Sequence, residues 1–202
     1  MRPINRDNLP HLVNVFSGII TSHYFTFWAR LAALWWGVQL GTGCSFMGRP
    51  RFVRHPGSSI EIGPSCRFNS SKDSTVLGVN HPCIISTSKE GAEVIIGKEC
   101  GFTGVSIGAT QKIIIGQNVR CGNNTMIMDT DWHWNDLRAA PNAPVVIGDN
   151  VWLGINVTVM KGVTIGKNTL VAAGSIVTKS LPPNVIAGGI PAKVLRDIKF
   201  ET

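Results

Sequence analysis

From Pro144 to Arg196 an aliphatic side chain stands at Ile147, Leu153, Val159, Ile165, Val171 and Val177, each six residues after the last. Four residues beyond each comes Val151, Val157, Val163, Thr169, Ser175 or Leu181, nearly always small or β-branched. A period of six fits neither a helix at 3.6 nor an isolated strand at 2. It predicts a parallel β-helix in which three hexads make one triangular coil. Each hexad supplies a short strand with its aliphatic residue inward and a tight turn of Gly, Asn or Asp. One coil cannot bury its core, but stacked coils can.

Upstream the same period is audible but interrupted. Coils are expected from about Gly41, where Gly turns and short apolar pairs slip in phase, as the capping coils of solenoids do. Ile62 and Phe68 give a clear hexad, after which NSSKDSTVLGVNHPCIIST leaves the period, with His81 held extended by Pro82. Regularity returns at VIIGKECGFTG, slips by a residue around Ala109 to Gln111, and resumes at Ile115, Cys121 and Ile127, giving roughly six coils. About 200 residues suit one domain with a sizeable core, and 22 glycines with 15% charged residues suit a turn-rich solenoid rather than disorder.

The segment 1–40 reads differently from 41–202. Leu9 to Ala29 is uncharged, yet His11, Asn14, Ser17, Ser22 and His23 make it too polar for a membrane span. Leu12, Phe16, Ile19, His23, Phe27, Leu31 and Leu34 recur at helical steps, predicting one amphipathic helix or two short ones whose apolar stripe packs on the solenoid or on a neighbouring subunit. Trp28, Trp35 and Trp36 beside Arg30 leave a weak membrane-surface contact open.

A net charge of +7 could serve nucleic acid, an anionic membrane or an anionic small ligand, but no basic run, basic helix or aromatic ribonucleoprotein motif accompanies it, and nucleic acid is not expected as a partner. The five cysteines, at 44, 66, 83, 100 and 121, are odd in number and contain no CxxC. Cys66 and Cys100 take the small-residue slot four after Ile62 and Ile96, and Cys121 takes an aliphatic slot, so they are expected in the core of a reduced, cytosolic protein. No secretory signal pattern is seen at the amino terminus.

The repeat breaks at residues 128–144. Ile115 to Ile147 is 32 residues, not a multiple of six, so a loop must leave the coil there. It carries Asp129, Asp131, His133, Asp136, Arg138 and two tryptophans within ten residues, and solenoid insertions gather on binding faces. A histidine there suits general-base work; the alternating Asp129, Asp131 and His133 could alternatively share a metal.

The stretches PVVIGDNVWLG, VTVMKGVTIG and AAGSIVTKSLPPNVIAGGIPAKVLR, with GVNHPCII, GAEVIIG and IMDTDWHWND upstream, resemble the hexapeptide-repeat acyltransferases. The likeness covers about Gly41 to Arg196 and is nearest to the capsular and lipopolysaccharide O-acetyltransferases, sisters of the maltose and galactoside acetyltransferases. It implies a mainly β fold, a left-handed parallel β-helix with an N-terminal helical segment, an inserted catalytic loop and a C-terminal tail. The left hand comes from the resemblance alone, since parallel crossovers are ordinarily right-handed.

The resemblance further implies an acetyl-CoA-dependent O-acetyltransferase acting on a sugar hydroxyl of a surface polysaccharide or its precursor. His133 matches the family's catalytic base, with Asp131, Asp129 or a backbone carbonyl orienting it. Ile155, Ala173, Thr178, Lys179, Lys193 and Arg196 match cofactor-contacting positions of the galactoside enzymes. Their acceptor-contacting asparagine falls here on Thr103, a departure that favours a polysaccharide acceptor over a simple galactoside. Trp134 and Arg138 could stack on and hydrogen-bond a sugar, and His81 could reach the site or be structural. The γ-class carbonic anhydrases share the fold but carry a histidine pair five apart, which His11, His23, His55, His81 and His133 do not provide, so no metal is expected. The resemblance implies a homotrimer with sites between subunits; the cysteines and the amino terminus point to the cytoplasm, with the inner membrane face left open by the helix. Two rival functions are N-acylation of an amino sugar and a non-enzymatic trimeric scaffold or membrane-surface adaptor.

Overall fold

The computed structural model describes residues 6, 9–133, 136 and 138–199. A single helix, Leu9–Trp36, leads into short strands that stack as six complete triangular coils and the start of a seventh. The first face contains Gln39–Leu40, Ser59–Ile62, Glu93–Ile96, Lys112–Ile115, Val145–Ile147 and Thr164–Ile165. The second contains Ser45–Met47, Arg67–Asn69, Gly101–Thr103, Arg120–Cys121, Trp152–Leu153, Leu170–Val171 and Val185–Gly189. The third contains Arg51–Val53, Ile84–Thr87, Ser106–Ala109, Met126–Met128, Thr158–Val159 and Ile176–Val177. Neighbours within each face are parallel; only the last strand, Ala192–Asp197, runs antiparallel, folded back on Val185–Gly189. The fold is mainly β, the left-handed parallel β-helix that the resemblance implies.

Each face buries one column of side chains. Ile62, Ile96, Ile115, Ile147 and Ile165 rise inside the first, and Ile85, Ile107, Ile127, Val159 and Val177 inside the third. The second face tapers: Phe46, Phe68 and Phe102 stack with ring centroids 4.8 and 5.0 Å apart, and Cys121, Leu153, Val171 and Ala187 follow. All five cysteines are buried and free. Cys44, Cys66 and Cys100 form one column, each thiol donating to a glycine carbonyl of the next coil, at Gly63, Gly97 and Gly116, over 3.3, 3.2 and 3.1 Å. Burial pushes the Cys83 and Cys121 thiols up, which suits packing and not nucleophilic attack.

Three features differ from the sequence expectation. The first coil is regular, since Leu40, Phe46 and Phe52 are themselves six apart, and the first interruption comes between Phe52 and Ile62. The one-residue slip is the sum of two local changes: the corner after Phe102 is shortened by one residue to bring Ile107 inward, and the corner before Ile115 is lengthened by two. The helix packs with the opposite side from the one expected. Ala29 and Ala33 are buried on the first coil and Thr26 Oγ1 accepts from Phe46 N at 3.0 Å, whereas Phe16, Ile19, Phe27, Leu31 and Leu34 are exposed. Small side chains let the helix approach the strand Ser45–Met47 closely, which the larger stripe could not.

Phe68→Ala removes the middle ring of the aromatic column, and its neighbours are held by backbone on both sides and cannot collapse into the void. It is expected to lower unfolding free energy by about 3–5 kcal/mol, read from the midpoint of chemical denaturation; a loss under about 1 kcal/mol would contradict this packing.

Candidate functional site

The inserted loop leaves the third face after Met128 and rejoins the first at Val145. Its root is a buried carboxylate. Asp129 Oδ1 accepts from Thr110 N at 2.7 Å and Thr110 Oγ1 at 3.0 Å, and Oδ2 from Gln111 N at 2.6 Å and Lys112 N at 2.8 Å. The lengthened corner of the coil below points three successive N–H groups at one side chain, and a carboxylate is the group with enough acceptor sites to take them all. Asp129 is therefore engaged by the corner, its two oxygens taken by four donors.

The rest of the loop is tied down in turn. Ala143 N donates to Asp129 O at 3.1 Å, closing the loop at its base, and Asn142 Nδ2 donates to Thr110 Oγ1 at 2.9 Å. Lys161, from the next coil, is only 13% exposed; its Nζ donates to both oxygens of Asp131 at 2.6 and 2.8 Å and to the carbonyl of Ala140. Lys161 was not singled out in the sequence, because it is thirty residues away and looks like an ordinary turn lysine. The hint is its place on the corner that the insertion must cross. Lys161, by its hydrogen bonds first and its charge after, holds the Asp131 carboxyl below the usual range.

Within this frame His133 is exposed, with its carbonyl accepting from Asp136 N at 3.0 Å. Its charge contributes to lowering both the Asp131 and Asp136 carboxyls, so the ring lies in the field of both. Arg138 forks onto Asp136, with Nε–Oδ1 at 2.9 Å and Nη2–Oδ2 at 2.6 Å, and this pair brings the Asp136 carboxyl down to about 2. Arg138 is thus partnered within the loop while its far edge remains in solvent. Trp132 adopts φ +63° and lays its indole against Gly108, where a Cβ would lie 3.1 Å from the ring. Trp134 lies outside the described residues.

The remaining sequence candidates form two groups. His81 and Thr103 flank the opposite end of the third face: Thr103 Oγ1 accepts from Asn69 Nδ2 at 3.3 Å, and His81 Nδ1 donates to the Pro82 carbonyl at 2.9 Å on an excursion held by Asn123 and Asn124. Four residues of strand, about 10 Å, separate this end from the root of the His133 loop. Ile155 and Ala173 sit on adjacent coils at the second corner, with Gly174 N donating to Ile155 O at 2.8 Å. Thr178 and Lys179 follow on the sixth coil, and Lys193 and Arg196 lie on the last strand opposite Gly188 and Ile186. Lys179, Lys193 and Arg196 are exposed and make no ion pair among the described residues. No group of three or more His, Cys, Asp or Glu side chains is placed to hold a metal ion among the described residues.

A family model described as bacterial transferase hexapeptide (six repeats) matches residues 144–179, the segment whose six-residue columns build the last two coils. Over those residues the chain is similar to the hexapeptide-repeat transferases. A Saccharomyces cerevisiae protein carrying an acetyltransferase name is 44% identical to this hexapeptide-repeat chain over 154 residues, covering 76% of this chain and 64% of that one. The galactoside O-acetyltransferase of Escherichia coli (strain K12) is 56% identical over 55 residues, 27% of each chain. The chain thus spans from 27% to 64% of the length of these relatives. An N-acyltransferase of Bacillus cereus, solved with dTDP-4-amino-4,6-dideoxyglucose and coenzyme A, aligns with a TM-score of 0.60 at 18% identity, over 80% of this chain and 84% of that one. At that identity the likeness is one of fold.

Two substitutions separate the ties of the hexapeptide-repeat loop. Asp129→Asn cannot accept from all four donors and is expected to cost about 2–3 kcal/mol of unfolding free energy. Lys161→Met should lower thermal stability at neutral pH, with the difference from wild type closing on acidification. A depressed carboxyl contributes stability that is fully present above its unfolded value, about 3.9, and is lost as pH falls through the lower folded value. Melting curves at neutral and acid pH would check this; a difference that does not narrow in acid would contradict the Asp131 pairing.

Proposed function

We propose that the protein is an acetyl-CoA-dependent O-acetyltransferase that esterifies a sugar hydroxyl of a surface polysaccharide or its precursor in the cytoplasm. The observation that carries this reading is His133, an exposed imidazole on a loop whose two ends are pinned to the coil and whose flanks hold two ionised carboxylates. The names of the relatives, an acetyltransferase and a galactoside O-acetyltransferase, supply the reaction class.

Coenzyme A would lie along the last two coils. At Gly174 nothing stands within 4 Å of an added Cβ, so the corner is open there, while Gly154 lets its coil stack against Ala173, where a Cβ would fall 2.6 Å from the backbone N. Ile155 and Ala173 would border the thin arm, Thr178 would hydrogen-bond it, and the unpaired Lys179, Lys193 and Arg196 would meet its phosphates. When bound, the thioester supplies the acetyl group.

A sugar hydroxyl is a poor nucleophile until its proton is removed. A ring nitrogen of His133 would take that proton as the hydroxyl oxygen bonds to the thioester carbonyl carbon; the carbon–sulfur bond would then break, and the proton would pass from His133 to the departing sulfur, leaving coenzyme A as its thiol. The Lys161 tie keeps Asp131, two residues before His133, in place. Backbone N–H groups at the corners would steady the developing oxyanion. His81, Thr103, Trp134 and Arg138 border the acceptor; with His81 and Thr103 about 10 Å of strand away from the loop, an oligosaccharide spans the groups better than one sugar does. A homotrimer would cover the solvent-facing side of His133 with a neighbour's early coils.

Thiol release from acetyl-CoA across sugars, nucleotide sugars and oligosaccharides tests this. Wild type should turn over with a hydroxyl acceptor, and His133→Ala should lose ~10²–10⁴ in rate. Full activity in His133→Ala, or no coenzyme A binding by wild type, would overturn it.

A further inference from the structure

The helix Leu9–Trp36 leaves most of its apolar surface in solvent. Phe16 is 66% exposed, Ile20 69%, Leu34 76% and Trp35 86%. At ~100° per residue these fall, with Phe27, on the side opposite Ala29 and Ala33, the pair buried on the first coil. The sector extends along a helix about 42 Å long. No Asp or Glu occurs within the helix, and its one charge, Arg30, lies at one flank of the sector. At the other flank the Arg49 guanidinium stands 5.9 Å from the Trp28 ring centroid.

The charge of the whole chain is concentrated at this end. Residues 1–54 contain six arginines and one acidic residue, whereas residues 55–202 contain 13 basic and 11 acidic residues. An apolar sector alone would suit a second copy of the chain, but helix-to-helix pairing would bring two arginine-rich ends together. An anionic surface with an apolar interior satisfies both halves of the pattern. Spanning is not the mode, since no helix among the described residues is long and apolar enough to cross a membrane.

We propose that this helix lies in the plane of an anionic phospholipid bilayer. The exposed aliphatic and aromatic side chains enter the boundary between headgroups and acyl chains, and Arg30, Arg49 and Arg51 face the headgroup phosphates. The polar face that such a helix ordinarily carries is replaced here by the β-helix body, docked through Ala29, Ala33 and Thr26. The coils then stand away from the bilayer, with the His133 loop rooted on the fourth coil, about 15 Å above the first.

Flotation of the full chain with vesicles tests this, using phosphatidylcholine alone and phosphatidylcholine mixed with phosphatidylglycerol. The chain should float with the anionic vesicles, more weakly with the zwitterionic ones, and less at high salt. The triple variant Ile20→Glu, Phe27→Glu, Leu34→Glu should lose at least about ten-fold in bound fraction while melting as wild type does, because all three side chains face solvent. Arg49→Gln with Arg51→Gln should weaken binding to anionic vesicles only. Failure of the intact chain to float with anionic vesicles, or undiminished flotation of the triple variant, would overturn the proposal. So would sedimentation velocity showing that the triple substitution dissociates an assembly of the chain that binds no vesicles, which would assign the sector to a second copy.

Discussion

The stack depends on one backbone constraint, repeated at the corner between the first and second faces. Gly43, Ser65, Glu99, Asn118, Asn150, Asn168 and Asn184 occupy that corner in successive coils, and all seven have positive φ, between 53° and 70°. A left-handed residue is what turns the chain sharply enough for the next short strand to begin. From the fourth coil upward asparagine does this and also joins the coils, its amides linking 118 to 150, 150 to 168 and 168 to 184 at 2.9, 3.1 and 2.8 Å. Two residues earlier the coils touch through glycine: a Cβ at Gly63 would lie 2.7 Å from the backbone of Gly97. With this corner fixed, the faces keep register and the core columns follow.

Departures from the repeat are therefore confined to the other two corners, and each is anchored where it leaves. The excursion carrying His81 is held by Asn123 and Asn124 from the fourth coil. The loop carrying His133 is held by Asp129 below and Lys161 above. A buried carboxylate without partners would be strongly destabilising; here its four donors satisfy it and it becomes the fixed point from which an exposed side chain is presented. Rigid roots hold the loop in place while His133 at its tip stays in solvent.

What the sequence made legible follows from what periodicity reports. Ile147, Leu153 and Val159 announced three faces because the aliphatic residue of each hexad can only point inward, and the break at Met128 announced the loop. Periodicity does not report which side of a helix meets its neighbour. The stripe through Phe16, Phe27 and Leu34 looked like the core side, while the contact is made by Ala29 and Ala33, whose small size is the reason the helix can sit on the strand containing Phe46. Nor could it separate Asp129 from Asp131 in the alternating run. One is buried because three N–H groups of residues 110–112 converge on it, the other meets Lys161, and both partners belong to other coils. The candidate residues of the last coils were legible only as matches to a family, because exposed cations such as Lys179, Lys193 and Arg196 leave no periodic mark.

The account turns on the kind of bond that is made. Acetylated acceptor recovered from a turnover reaction, assayed for lability to mild base alongside the thiol released, reports that bond directly. The account predicts a base-labile ester formed in equal amount to free coenzyme A. A base-stable amide, or thiol released with no acetylated acceptor, would contradict it.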